Sequence, residues 1–346
     1  MRFIDPTAVW YRRYHPLSLA LAPLGWLYCA VALVRRHGYR RGLFAVRRLP
    51  VPVVVVGNLT VGGTGKTPLV LRLAELAVAR GWRPAIITRG YGARSGPWPR
   101  VAAAADDPLL VGDEPLLLAR RGVCPVVVGP DRAADGALAI RRCGCNLLLC
   151  DDGLQHYRLA RDLEIAVVDG ERGLGNGRCL PAGPLREPGG RLGSVDLVIH
   201  HGGNAAGYRF GLVPGDTQAL RDPARRRPLS DFRGQRVTAV AGIGNPGRFF
   251  AMLRARGLLV DELPYPDHHP FSAAEAAQWP PGPVLMTEKD AVKCAAFAGP
   301  DHWVCPVAAA PDPAFVAALF ARLGPAPAAN DETQSPSFTQ QETVSP

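Results

Sequence analysis

Lysine is scarce in this chain, although positive charge is not. The 346-residue sequence has 40 lysines and arginines together, and only three of these are lysines: Lys66, Lys289 and Lys293. A compact ammonium group on a flexible stem binds phosphate as a point charge, which the planar guanidinium of arginine cannot imitate. Lys66, which follows a glycine-rich loop, is therefore a candidate phosphate ligand.

CxxC cysteine pairs are absent. The eight cysteines, at positions 29, 124, 143, 145, 150, 179, 294 and 305, are scattered, and several lie inside apolar runs. This usage is typical of a protein of the reducing cytosol. It predicts neither a zinc site nor a disulfide framework.

The overall charge predicts an anionic partner. A formal net charge of +10 and a pI near 9.5 suit nucleic acid, an anionic membrane surface or a phosphorylated substrate. We expect no nucleic-acid partner, because the basic residues are spread along the chain and no recognisable module with interleaved aromatic residues accompanies them. With 346 residues and 47% hydrophobic content, the chain is long enough for two domains, each with its own core.

The glycine-rich loop is the feature around which the chain is organised. Residues 51–68 read VPVVVVGNLTVGGTGKTP; the valine run predicts a strand buried on both faces of a parallel sheet, and Pro68 suits the first turn of a helix. A strand, a glycine-rich loop, Lys66-Thr67 and a helix follow one another, and this order predicts a nucleotide phosphate-binding loop. In such a loop the Thr67 hydroxyl holds Mg²⁺. The usual pattern has glycine where this chain has Thr60, and a turn without a ligand is the alternative. The predicted nucleotide-binding residues are Gly62, Gly63, Thr64, Gly65, Lys66, Thr67 and Pro68.

Strands and helices alternate from about residue 50 to residue 200. This pattern is typical of an α/β fold with a P-loop NTPase-like parallel sheet and helices on both faces. Ligands of such a sheet bind at the carboxyl ends of the strands. We predict strands at 53–56, 85–88, 124–128, 146–150, 164–168 and 195–199, and helices near 68–80, 114–121 and 132–142.

Polar residues follow several of these strands. Asp151 and Asp152 come directly after an apolar run, where nucleotide hydrolases and kinases hold Mg²⁺, although a solvated turn is the alternative. Asp113 opens a predicted helix, and it either caps that helix or accepts a hydroxyl proton in the cleft. The loop 175–188, GNGRCLPAGPLREP, carries Arg178 and Arg186, which suit bidentate contacts with phosphate.

A second, smaller α/β domain is predicted to follow. Its loop Asp267-His268-His269 is a catalytic base, a polar turn or a metal cluster, and we rank metal last because no third ligand lies at zinc spacing. The segment 287–293, TEKDAVK, lacks the Asn-Lys-x-Asp pattern of guanine recognition, so a GTPase is not supported. We predict strands at 236–241, 283–286 and 303–307, and helices near 246–256, 272–279, 289–297 and 312–323.

An uncharged run of 19 residues, 16–34, stands near the N-terminus between arginine pairs at 12–13 and 35–36. It is just long enough to cross a bilayer, but Pro16, Pro23 and Gly25 weaken it as a straight span. We expect a membrane-associated helix, spanning or interfacial, anchored by arginines to anionic headgroups. A buried core helix is the alternative.

These features divide the chain into four parts. Residues 1–45 are the hydrophobic helix with its basic flanks, 46–215 the P-loop core, and 216–324 the smaller α/β domain. Residues 325–346 contain no lysine or arginine and are rich in Pro, Ser, Thr and Gln, which predicts a disordered tail.

Seven motifs follow the N-terminal helix in this order: GNLTVGGTGKTP, RGYG, GDEP, DDGLQH, GPLREP, DHH and TEKDAVK. Together they resemble the tetraacyldisaccharide 4'-kinase family, the lipid A kinases of Gram-negative bacteria, over roughly residues 5–323. Thr60 agrees with that family's version of the loop. The resemblance implies a Mg²⁺-dependent transfer of the ATP γ-phosphate to the 4'-hydroxyl of tetraacyldisaccharide 1-phosphate, giving lipid IVA. It also implies a site on the cytoplasmic face of the bacterial inner membrane, and we expect a monomer.

The resemblance further implies roles for individual residues. Lys66 acts on the phosphates, and Asp113 accepts the hydroxyl proton while a histidine orients it or relays the proton. We favour His268 over His269 for that histidine. The implied metal ligands are Thr67, Asp151, Asp152 and Glu187, and the implied substrate or nucleotide contacts are Tyr91, Arg132, Gln155, His156 and Arg186.

Two other classes of protein share part of this pattern. A cytosolic P-loop ATPase or metallochaperone has the glycine loop and the acid pair, but it needs neither residues 16–34 nor the GPLREP loop. ATP turnover independent of lipid favours that class. Tight ATP binding without turnover on any lipid favours a membrane-tethered nucleotide-binding module.

Overall fold

The computed structural model describes residues 9–93 and 96–327, and within them the chain forms two β-sheets. The first strands in the chain belong to a large sheet: β1 Val53–Gly57, β2 Pro84–Thr88, β3 Arg100–Ala102, β4 Val126–Val128, β5 Leu147–Asp151, β6 Leu163–Asp169, β7 Leu197–His201 and β8 Tyr208–Pro214. The next form a small sheet: β9 Thr217–Ala219, β10 Arg226–Arg227, β11 Arg236–Ala241, β12 Leu259–Pro264, β13 Val284–Thr287 and β14 His302–Cys305. The last strand, β15 Val307–Pro311, returns to the large sheet.

Helices connect most of these strands. In chain order they are α1 Pro16–Ala20, α2 Ala22–Arg40, α3 Lys66–Val78, α4 Pro108–Val111, α5 Asp113–Arg121, α6 Arg132–Cys143, α7 Pro246–Arg254, α8 Ala273–Ala276, α9 Glu288–Cys294 and α10 Pro313–Leu323. Short 3₁₀ turns lie at Gly189–Ser194, Leu229–Phe232 and Ala295–Phe297.

Strand β1 lies near the middle of the large sheet, whose order is β15-β8-β7-β6-β1-β5-β2-β4-β3. It pairs in parallel with β5 and β6, and Val56 lies opposite Asp151. Val54 and Val56 belong to the hydrophobic core on one face of the sheet, whereas Val53 and Val55 belong to the core on the other. The prediction of a strand buried on both faces is therefore confirmed. The edge strands β3 and β15 pair antiparallel, so the sheet is mixed rather than wholly parallel.

The small sheet has the order β10-β9-β14-β13-β11-β12. Strands β12, β11, β13 and β14 pair in parallel, and β9 closes the other side antiparallel to β14. Its cores contain large buried aromatic side chains, including Phe232, Phe250 and Trp303. This second layer of α/β structure has its own hydrophobic interior, separate from that of the large sheet.

The chain crosses from the large sheet to the small one near residue 216 and returns near residue 306. Strand β15 pairs with β8, and Phe315 of α10 is fully buried in the core of the large sheet. The end of the predicted segment 216–324 therefore packs on the large sheet. Its boundaries as a domain stay a prediction, and the predicted tail lies outside the described residues apart from 325–327.

Several strands had no counterpart in the sequence analysis, namely β3, β8, β9, β10, β12 and β15. These strands lie at or near the edges of the two sheets, and most of them alternate partly buried and exposed residues. Apolar runs identify strands that are buried on both faces, so they do not identify strands of this kind.

The uncharged run forms α1 and most of α2. In α2 only Ala22, Gly25 and Gly38 are buried, whereas its large apolar side chains are exposed, including Trp26 at 69%, Val31 at 60% and Val34 at 71%. The alternative of a buried core helix is therefore wrong. No helix in residues 9–93 and 96–327 is long and apolar enough to cross a membrane.

Helix α2 packs against the loop 175–188. A Cβ atom on Gly25 would lie 3.0 Å from the Cys179 carbonyl oxygen, so the helix and the loop approach closely at this glycine. Cys29, one turn further along α2, forms a disulfide with Cys179 across a sequence separation of 150. The expectation of no disulfide is therefore wrong for this pair, because packing of the two segments decides it and cysteine spacing does not.

Candidate active site

A cavity of about 1900 Å³ lies between the two sheets. Its walls come from the glycine loop, from the carboxyl ends of β2 and β5, and from the loops that follow β11 and β12 of the small sheet. Most of the side chains singled out from the sequence line it. They include Lys66, Thr67, Tyr91, Arg132, Asp152, Gln155, His156, Arg186, Glu187 and His268.

The glycine loop connects β1 to α3, and Lys66 is the first residue of that helix. Gly62 and Gly65 have φ angles of 110° and 81°, which favour glycine. A Cβ atom on Gly65 would also lie 2.7 Å from the imidazole Nδ1 of His201, so this position has no room for a side chain. The first amides of a helix have no intrahelical partner, so those at the start of α3, where Lys66, Thr67 and Pro68 line the cavity, suit an anion.

Lys66 lies between two oxygen ligands. Its ammonium donates to Asn58 Oδ1 at 3.1 Å and lies 3.5 Å from Asp152 Oδ1. Only 12% of the side chain is exposed. The lysine is thus held at the mouth of the glycine loop, where a phosphate can replace one of its oxygen partners.

The two acids of the pair have opposite electrostatic environments. Asp151 is buried, and burial, together with the nearby carboxylates of Glu114 and Asp152, raises its pKa to about 7 against the pull of Lys66. Burial alone would also raise the pKa of Asp152, but Lys66 and the two hydrogen bonds from Arg186, at 2.8 and 2.9 Å, hold that pKa well below its usual range. Asp152 is therefore a carboxylate at neutral pH, whereas Asp151 is only partly ionised there, because burial disfavours its charged form.

A cation beside Asp151 would stabilise the carboxylate form of this residue. Thr67 donates from its hydroxyl to Asp151 Oδ2 at 3.1 Å, and Asp151 Oδ1 is buried without a hydrogen-bond partner. No three His, Cys, Asp or Glu side chains among the residues described lie close enough to hold a metal ion by themselves. Mg²⁺ is commonly bound by one or two carboxylates together with substrate phosphates and water, so Thr67 and Asp151 fit that ion.

Glu187 is buried beside Tyr157 and Arg191. Its Oε2 accepts a hydrogen bond of 2.6 Å from the Tyr157 hydroxyl and lies 3.4 Å from Arg191 Nε, while its Oε1 is buried without a partner. In this arrangement the carboxylate anchors the loop that presents Arg186. Its predicted role as a metal ligand stays a prediction.

Asp113 and His268 meet across the cavity although 155 residues separate them in sequence. The Asp113 carboxylate, at the start of α5, lies 3.0 and 3.1 Å from His268 Nδ1, and His268 belongs to the loop after β12. His269 instead lies 2.9 Å from the carboxylate of Glu275. The large sheet therefore supplies the acid of this pair and the small sheet supplies the histidine.

Asp113 and His268 each stabilise the charged form of the other, so their pKa values move apart. Burial would raise the pKa of Asp113, but the hydrogen bond from His268 and the charge of Lys289 lower it. Burial would lower the pKa of His268, but the hydrogen bond with Asp113 raises it. The alternative that Asp113 caps the helix is wrong, because Gly112 is the residue at the N-cap and no side chain caps this helix; Asp113 Oδ1 accepts only the amide of its neighbour Glu114 at 2.9 Å.

The predicted substrate contacts lie in different parts of the site. Tyr91 is 62% exposed at the rim of the large cavity, with its ring centroid 4.7 Å from that of His268. Arg132 and His156 line a second cavity of about 170 Å³ beside Arg35 of α2. Arg132 is 2% exposed and pairs with Asp135 at 3.2 Å, and burial with the charges of neighbouring arginines lowers the pKa of His156 to about 4. Gln155 donates to the Asn58 carbonyl oxygen at 3.3 Å.

Two contacts at the site had no counterpart in the sequence analysis. Arg248 of α7 reaches Asp169 at 2.6 Å and His201 Nδ1 at 3.0 Å, and it thereby ties the small sheet to the base of the glycine loop. Lys289 of α9 contacts both His268 and Glu114. Arginine is too common here for Arg248 to stand out, whereas the scarcity of lysine was a signal for Lys289.

A glycine loop, a lysine, an acid pair and an acid–histidine pair in one α/β cleft define a phosphoryl-transferring enzyme. The family model described as Tetraacyldisaccharide-1-P 4'-kinase matches residues 17–324. The chain therefore belongs to the tetraacyldisaccharide-1-P 4'-kinase family, and it is a kinase.

Relatives in this family are similar over nearly their whole length. A tetraacyldisaccharide 4'-kinase from Alkalilimnicola ehrlichii is 54% identical over 319 residues, which cover 91% of this chain and 96% of the relative. One from Pseudomonas aeruginosa is 51% identical over 320 residues, with the same coverage. The crystal structure of LpxK from Aquifex aeolicus in complex with ATP is 28% identical with a TM-score of 0.73, covering 89% of this chain and 99% of that chain.

The raised pKa of Asp151 predicts that Asp151→Asn stabilises the ligand-free chain at alkaline pH. The folded-state pKa of about 7 exceeds the ordinary value of 3.8, so the stability that this carboxyl contributes is present at low pH and is lost as the pH rises through 7. At pH 8 we expect Asp151→Asn to unfold about 2–4 °C above the wild type, which corresponds to ~1 kcal/mol. Thermal unfolding between pH 5 and pH 8 measures this difference.

The control for this measurement is Asp261→Asn, which changes a carboxylate that is 42% exposed and lies in the small sheet. It should follow the wild-type pH dependence. If the stability of the wild type and of Asp151→Asn depends equally on pH, the pKa of Asp151 is not raised in the folded protein.

Proposed function

We propose that this chain transfers the γ-phosphate of ATP to the 4'-hydroxyl of tetraacyldisaccharide 1-phosphate and thereby forms lipid IVA in lipid A biosynthesis. Family membership supports the reaction, and a relative with ATP bound supports the nucleotide. The observation that carries the proposal is the shared cavity: Lys66, Asp152 and His268 all line one space of about 1900 Å³, and Asp113 is hydrogen-bonded to His268 at its edge.

The nucleotide is proposed to lie with its phosphates on the glycine loop. Backbone amides from Gly62 to Thr67 surround the phosphates, and Lys66 neutralises the terminal ones. Thr67 and Asp151 would hold Mg²⁺, with Asp152 and Glu187 as further candidates, and the ion would neutralise charge that develops during phosphoryl transfer. The unpartnered Oδ1 of Asp151 supports this assignment.

Asp113 is proposed as the base. A sugar hydroxyl is a poor nucleophile until a group accepts its proton, and the Asp113 carboxylate is buried yet ionised because its pKa is lowered. His268 orients that carboxylate by a hydrogen bond of 3.0 Å. Phosphoryl transfer asks the protein mainly for positioning and charge neutralisation, and these groups supply both.

The remaining basic residues are proposed to hold the anionic sugar substrate. Arg132 and His156 line the smaller cavity next to α2, with Arg35 and Arg158 beside them. Two guanidinium nitrogens of buried Arg132, Nε and Nη2, have no hydrogen-bond partner, so they are available to an anion. Tyr91, Gln155 and Arg186 line the larger cavity together with the glycine loop and complete the proposed contacts.

Helix α2 is proposed to lie in the membrane interface. Its exposed apolar side chains cover one surface of the molecule next to arginines at 35, 36, 40 and 41, which suits insertion at the level of anionic headgroups. We also propose that the chain acts as a monomer at the cytoplasmic face of the bacterial inner membrane.

The experiment that tests the proposed reaction is transfer of labelled γ-phosphate from ATP to tetraacyldisaccharide 1-phosphate in detergent micelles. Labelled lipid that depends on the disaccharide supports the kinase. ATP hydrolysis at the same rate without lipid contradicts it and favours a P-loop ATPase.

Lys66→Ala should abolish this transfer. Without the ammonium, the charge of the terminal phosphates is not neutralised and the carboxylate of Asp152 loses a partner at 3.5 Å. We expect a fall in kcat of about 10²-fold or more. The control is Arg72→Ala, which removes a 41% exposed cation from the same helix. Normal turnover by Lys66→Ala would refute the assignment of the phosphate loop.

The double change Leu27→Glu/Val31→Glu should weaken binding to vesicles of anionic phospholipid. Both side chains lie on one face of α2 and are 62% and 60% exposed. Burial of each apolar side chain is worth about 1.5–3 kcal/mol, so we expect binding to fall about ten-fold or more in a sedimentation assay. The control Val213→Glu/Leu259→Glu changes two side chains that are 53% and 55% exposed elsewhere. Equal binding by both double variants would contradict an interfacial α2.

A further inference from the structure

All three lysines of the chain lie at one cleft. Lys66 and Lys289 line the large cavity, and Lys293 Nζ lies 4.0 Å from Asp113 Oδ2. Lys66 belongs to the glycine loop, which explains its presence. Lys289 and Lys293 lie on α9 of the small sheet, and neither takes part in the proposed phosphate binding or proton transfer.

Lys289 is held by three partners at hydrogen-bond distance. Its ammonium lies 2.9 Å from Glu114 Oε1, 2.9 Å from Asp267 Oδ1 and 3.1 Å from His268 Nε2. Only 14% of its side chain is exposed. An ammonium has three N–H groups and no lone pair, so these three partners use all of its donors.

The contact with His268 determines where the imidazole proton lies. Because Lys289 can only donate, His268 Nε2 must accept, and it therefore carries no proton. The proton of the neutral ring is then on Nδ1, where it is donated to the Asp113 carboxylate at 3.0 Å. The two ring nitrogens thus have fixed and opposite roles.

We propose that Lys289 is a positioning residue that fixes His268 in the tautomer with its proton on Nδ1, so that Asp113 alone accepts the substrate proton. This inference rests on the proposed function of Asp113 as the base. It decides between the two roles that the sequence left open for the histidine: His268 orients the carboxylate and does not relay the proton, because Nδ1 is already protonated when the reaction begins.

The groups around His268 act on its pKa in opposite directions. Asp113 on α5 favours the imidazolium, as does Asp267 on the same loop, while Lys289 on α9 opposes it. Glu114 on α5 pairs with Lys289, Lys293 pairs with Asp290 at 2.9 Å, and the Tyr91 ring packs against the imidazole. The charge of the three carboxylates near Lys289 raises the pKa of its ammonium, so it remains a donor throughout the working pH range.

A neighbouring ion pair provides a matched control. Arg121 of α5 pairs with Glu288 of α9 at 2.7 Å, so it joins the same two helices as the Glu114–Lys289 pair. Arg121→Met removes a contact between the two sheets without removing a contact of His268. Lys289→Met removes a contact between the sheets and also the donor to Nε2, and Lys289→Gln removes the charge but keeps an N–H donor.

The experiment combines the tautomer of His268 with kinetics, using full-length protein in micelles. Nitrogen-15 chemical shifts of the imidazole distinguish the two tautomers, and comparison with His268→Gln assigns the signal among the eight histidines. We expect the Nδ1–H tautomer in the wild type, in Arg121→Met and in Lys289→Gln, and a mixture in Lys289→Met. We expect Lys289→Met to lower kcat about ten-fold or more with little change in the KM of either substrate. The acid limb of its pH profile should move to higher pH, because the group that opposes the imidazolium is gone.

Two outcomes would overturn the proposal. One is a wild-type His268 with its proton on Nε2, which needs no variant to fold. The other is Lys289→Met with the wild-type tautomer and a kcat within about two-fold of Arg121→Met. The tautomer is measured on the resting protein, so it tests Lys289 even if the wild type phosphorylates no lipid, which is the separate failure of the proposed function.

Discussion

The hydrogen bond between Asp113 and His268 is the interaction on which the site depends. The acid begins a helix on the large sheet, the histidine lies in a loop of the small sheet, and the two atoms that meet are 3.0 Å apart. Arg121–Glu288, Lys289–Glu114 and Arg248–Asp169 join the same two halves around this contact. Asp113, the proposed base, therefore contacts His268 only when the two sheets hold this relative position.

The two adjacent acids of the cleft, Asp151 and Asp152, differ in their pKa values because their charged neighbours differ. Asp152 has cationic neighbours on two sides and remains charged, whereas Asp151 is buried beside other carboxylates and has a pKa of about 7. A buried acid of this kind next to a glycine loop supports the proposed Mg²⁺ site, because a cation would stabilise the carboxylate form of Asp151. Ionisation of the buried Asp151 costs stability in the ligand-free chain as the pH rises.

Local features of this protein could be predicted from the sequence, and contacts between distant segments could not. The valine run, the glycine loop and the acid pair were located correctly because each depends on neighbours within a few residues. Motif order led to the family. By contrast, the partly exposed edge strands β15 and β12 gave no apolar run. The Cys29–Cys179 disulfide and the Lys289–His268 contact arise from packing that no spacing encodes. The buried hydrogen bond from Tyr157 to Glu187 likewise joins segments that are 30 residues apart in sequence.

The most direct test of the account is a double-mutant cycle in kcat with Asp113→Asn, His268→Gln and the two changes combined. If the histidine acts only by orienting the carboxylate, loss of Asp113 removes its effect, so the double variant should be about as slow as Asp113→Asn alone. If the two losses instead multiply, the residues act independently, and a base assembled across the two sheets is contradicted.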